Sequence, residues 1–131
     1  MINEDFVSFE VAKLLKEKGF YQDFLSEMMP VWKLNGNRTE LVFHGCDNYP
    51  CENDEWYSAP TLQIAVKWLR LEHQIFIRPD TDFMNPMSYF AEIFCYGNNL
   101  KTQQDVMTGK YESPEEALEA AIKHCLENFD I

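Results

Sequence analysis

Apolar positions along the chain switch between two periods, and the switches mark the elements. In "SFEVAKLLKEKGF", Val11, Leu14 and Leu15 fall on one face of a helix. Ser8 suits its N-cap, Lys16 and Lys18 suit the negative end of its dipole, and Gly19 with Phe20 closes it. "YQDFLSEMM" admits a further turn and a half of helix before Pro30. "VWKLNGNRTELVF" reads as a hairpin around Asn35-Gly36, a pair suited to a type I′ turn. A loop from Gly45 to about Trp56 follows. "SAPTLQIAVKWLRLEHQIFIRP" then gives a helix, with Pro60 at its first position. Leu62, Ala65, Val66, Leu69 and His73 mark one face of it, and Ile64, Trp68 and Leu71 broaden the apolar surface. A helix apolar on so many sides is expected to be central, or partly covered by a partner.

"QIFIR" alternates as a strand, and Pro79 and Pro86 bracket a turn-rich link, "PDTDFMNP". "SYFAEIFCYG" is a longer strand with Tyr89, Ala91, Ile93 and Cys95 on one side and Phe90, Glu92, Phe94 and Tyr96 on the other. A third strand is expected near "QQDVMTG". The last element, "ESPEEALEAAIKHCLENF", starts with Ser113 at the cap, Pro114 at the first position and Glu116 to complete a capping box. Leu118, Ala121, Ile122, Cys125, Leu126 and Phe129 form its apolar stripe, and Glu119 precedes Lys123 by one helical turn. The predicted order is α-β-β-α-β-β-(β)-α. This is an α+β fold, a small antiparallel sheet of three to five strands with about three helices packed on one face. No repeat or linker divides the chain, so residues 1–131 are expected to be a single domain.

Charge narrows the function classes. Acidic residues number 22 against 11 basic ones, a formal net charge of −11, and the bases do not gather in one block. Such a surface repels nucleic acid and suits a basic partner, or mimicry of nucleic acid itself. The start, "MINEDFVSFE", has neither a basic nor an apolar leader region, and the apolar runs are too short to span a membrane. A cytoplasmic setting with reduced cysteines is therefore expected.

The densest candidate chemistry is "HGCDNYPCENDEW". His44, Cys46 and Cys51 are ligand types that suit tetrahedral zinc. A structural site needs a fourth donor, from His73, Cys95, His124, Cys125 or a loop carboxylate, and His124 and Cys125 point about 100° apart on a helix. No metal is assigned on this pattern, and a small zinc-binding protein stands as third choice. Cys95 and Cys125 sit on apolar faces, as core cysteines do. No nucleophile elbow or glycine-rich phosphate loop is present, so neither a catalytic residue nor a cofactor is assigned. Tyr49, Trp56 and Tyr57, in or beside the acidic loop, are the candidate interface anchors.

"FVSFEVAKLLKEKGF", "SAPTLQIAVKWLRLEHQIFI" and "YESPEEALEAAIKHCLENF" together resemble a family of small bacterial proteins often found in mobile or phage-derived DNA. That resemblance implies no activity, and residues 21–57 lie outside it. The helix–strands–helix order of residues 60–129 is similar to the double-stranded RNA-binding domain in topology. That domain places lysines where this chain has "SPEEALEA". The strand pair followed by the Ser113-Pro114 helix start is similar to antitoxins that cover a small nuclease. The resulting expectation is a non-enzymatic accessory of a mobile element that binds another protein or a second copy of itself. The alternative is an acidic nucleic-acid mimic or antitoxin-like inhibitor.

Overall fold

The computed structural model describes residues 5–20, 30–35, 38–42, 55–82, 84–96, 103–107 and 109–129. The chain divides into two compact units, Met1–Thr61 and Leu62–Ile131. The α+β class expected from the pattern holds. The strands, however, are shared between two three-stranded antiparallel sheets rather than gathered in one.

In the first unit, α1 (Phe9–Glu17) starts at Ser8, whose side chain accepts from the Val11 N–H at 3.3 Å. It ends before Gly19, whose φ of +93° is the left-handed conformation that glycine adopts without strain. Val11, Ala12 and Leu15 are buried, and Phe20 folds back into the same core. Strands β1 (Val31–Asn35), β2 (Arg38–Val42) and β3 (Glu55–Ser58) are ordered β2-β1-β3. Asn35 pairs with Arg38, so Asn35 belongs to the strand. The expected turn pair Asn35-Gly36 is therefore corrected at Asn35, and Gly36 lies outside the described residues. Strand β3 corrects the expected loop. Its four residues add to the free edge of β1, with Trp32 opposite Tyr57 and Lys33 opposite Trp56. Pairing there supplies the order that the local sequence does not.

In the second unit, α2 (Leu62–His73) is followed by β4 (Ile75–Asp82), β5 (Asn85–Tyr96), β6 (Gln103–Met107) and α3 (Pro114–Asn128). The helix α2 begins two residues after Pro60 rather than at it, because Thr61 is held extended in a bridge to Phe6. Gln74, with φ of +54°, turns the chain from α2 straight into β4. The expected link through Pro79 is mostly strand. β4 is an edge of its sheet, so Pro79 interrupts no ladder when its missing N–H faces away from β5. The facing pairs Ile75–Cys95, Ile77–Ile93 and Pro79–Ala91 set one side of the sheet. On it pack α2 and α3. Leu62, Ala65 and Leu69 of α2 join Leu118, Ala121, Ile122, Cys125 and Leu126 of α3 in this core. The other side carries Phe76 opposite Phe94 and Arg78 ion-paired to Glu92. Ser113 caps α3 as expected, accepting from the Glu116 N–H at 3.1 Å. The Glu116 carboxylate reaches back one residue further than a simple box, to the Glu112 N–H at 3.3 Å.

Candidate functional site

Two of the three expected anchors, Trp56 and Tyr57, are neighbours on β3. Trp56 and Tyr57 are half-buried on β3 and packed against α1. The Lys16 ammonium lies 4.6 Å from the Trp56 ring centroid and 4.9 Å from that of Tyr57. It also donates to the Trp56 carbonyl at 3.0 Å. Phe9 meets the Tyr57 ring edge-on at 5.4 Å and Trp32 at 6.3 Å, while Trp32 Nε1–H donates to the Val7 carbonyl at 2.8 Å. These rings tie α1 to its sheet. Beside them a shallow depression is lined by Ala12, Lys16, Phe20, Trp56 and Ser58. Tyr49 lies outside the described residues, as do the zinc candidates His44, Cys46 and Cys51.

The further donors considered for zinc are spread over the second unit. His73 sits at the end of α2, its ring edge-on to Trp68 at 4.7 Å. His124 is held by its own helix, with Asn128 Nδ2 at 3.3 Å from Nδ1 and the Phe129 ring at 5.8 Å. Cys125 is fully buried, and burial, reinforced by nearby Cys95, pushes its thiol up from 9.0 to about 12. It is therefore protonated at neutral pH and unsuited as a nucleophile. Among the described residues no three His, Cys, Asp or Glu side chains converge as metal ligands do.

What remains prominent is the outer side of α2. Its core-facing residues are Leu62, Ala65 and Leu69. At about 100° per residue, Ile64, Trp68 and Leu71 form a second stripe centred roughly 125° around the helix from that core face. Ile64 is 40% exposed and Leu71 60% exposed, with Trp68 half-buried between them. Exposed apolar side chains aligned at i, i+4 and i+7 are the anchors by which a helix enters a groove on another protein. The helix is thus buried on one face through Leu62, Ala65 and Leu69, while Ile64 and Leu71 keep much of their surface exposed. The residues were legible as apolar. Which of two apolar faces would be buried was not, because that is fixed by β4 and α3, which come later in the chain. Phe76, 41% exposed on β4, went unnoticed because it alternates within an ordinary strand pattern. Among the described residues no helix is long and apolar enough to cross a membrane.

Comparison with known protein families, with curated proteins and with solved structures returned no match for this chain.

Proposed function

We propose that this chain is a non-enzymatic accessory protein that works by binding another protein through the outer stripe of α2. The observation that carries the reading is the alignment of Ile64, Trp68 and Leu71 on the side of α2 away from its core, with the two aliphatic residues well exposed. Covering the exposed parts of Ile64 and Leu71 removes apolar surface from water, and a tryptophan beside two aliphatic residues is usual material for an interface anchor. The resemblance of three helical segments to small proteins of mobile DNA supports an accessory role, and the partner is then a protein of the element or of its host.

A photo-crosslinking amino acid placed at Leu71, and separately at Glu112 as an exposed control, tests this in the native cell. The expected result is a discrete adduct of higher mass from position 71 and none from position 112. Equal yields at both positions, or none at either, contradict the reading.

A further inference from the structure

The charges around the stripe indicate what kind of surface covers it, on the reading that α2 is the binding element. In this unit Arg78 is paired with Glu92, Lys110 with Asp82 at 3.6 Å, and Lys123 with Glu127 at 3.8 Å. Lys67 and Arg70 are exposed, and among the described residues neither engages a carboxylate. That is notable in a chain with 22 acids and 11 bases, where a carboxylate is the commonest charged neighbour available. Helical geometry puts both cations along the same flank. Lys67 lies about 40° from Leu71 and Arg70 about 60° beyond it, whereas Glu72 borders the opposite flank.

We infer that α2 docks into an apolar groove of another protein that carries carboxylates along the rim meeting Lys67 and Arg70. The apolar stripe supplies anchors, and the two cations set register and direction. An uncompensated pair at a rim contributes chiefly to orientation and rate of encounter. Anionic lipid is the poorer match, since the two cations fall short of the roughly four to eight basic residues by which a surface helix holds such lipid.

The test uses the full chain and a display library of three-helix scaffolds with the groove between two helices randomised. Selection on the wild-type protein, with depletion on Leu71→Glu, is expected to enrich Asp and Glu over Lys and Arg at the groove rim. The double reversal Lys67→Glu and Arg70→Glu is expected to weaken the selected binders at least about tenfold. Circular dichroism matching the wild type shows that each variant is folded. Rims without acid enrichment, or binders indifferent to the reversal, overturn the acidic rim while leaving α2 as the binding element. A pool that never distinguishes Leu71→Glu overturns α2 itself. A dimer in sedimentation that Leu71→Glu dissociates makes the occupant a second copy. Cosedimentation with phosphatidylserine vesicles makes it a membrane. Either result overturns the proposal.

Discussion

Cys125 and Lys16 show how single side chains set measurable properties of this protein. The Cys125 thiol has no exposed surface, and its raised value of about 12 means that the folded chain keeps a proton that the unfolded chain releases near 9.0. Its stabilising contribution is complete below the unfolded value and is lost as pH rises through the folded one. We predict that the urea-unfolding free energy falls by about 2 kcal/mol more between about pH 9 and 11 in wild type than in Cys125→Ala. Parallel pH profiles for the two proteins would contradict this. Lys16 acts by different physics. Its ammonium over two rings and its bond to a carbonyl join α1 to β3 at an exposed position. Lys16→Ala should cost about 0.5–1 kcal/mol by the same measurement, and Lys16→Arg much less. An alanine variant as stable as wild type would show that the contact contributes nothing.

Among the elements, the helices were the readable ones because their boundaries are local chemistry. Ser8, Gly19, Ser113 and Pro114 each act within a few residues of themselves, and each does in the structure what its position implies. Ser8→Ala and Ser113→Ala are each predicted to lower stability by about 1 kcal/mol, read from thermal unfolding. A change confined to a few tenths would mean that water satisfies those N–H groups as well. Strand β3 was hidden for the opposite reason. Glu55–Ser58 is only four residues long, too short for its two aromatics to signal a strand on their own, and β1, some twenty residues earlier, offers the edge it pairs with. The extension of β4 through Pro79 has the same origin, since only the sheet order reveals that the strand is an edge. The candidate surface was half legible. Ile64, Trp68 and Leu71 stand out as apolar in the sequence, but their side of α2 became the outer one through packing with β4 and α3. Tyr57 and Trp56, which read as anchors for a partner, are occupied by Phe9 and Lys16 of the chain itself.

For the whole molecule, the excess of acids makes a cationic, apolar ridge on α2 a local exception, and that exception carries the functional account. Leu71→Glu should therefore leave folding intact, because the side chain is 60% exposed, while abolishing partner binding. Coverage of this ridge in the cell is the most direct thing to measure. Cysteine replaces Leu71 in one variant and Glu112 in another, both with the four native cysteines changed to serine or alanine. A membrane-permeant maleimide is then applied to living cells and to purified protein. The account predicts that labelling at position 71, relative to position 112, is at least about tenfold slower in cells than in the purified chain. The same ratio in both settings would mean that nothing covers α2, and would contradict the account.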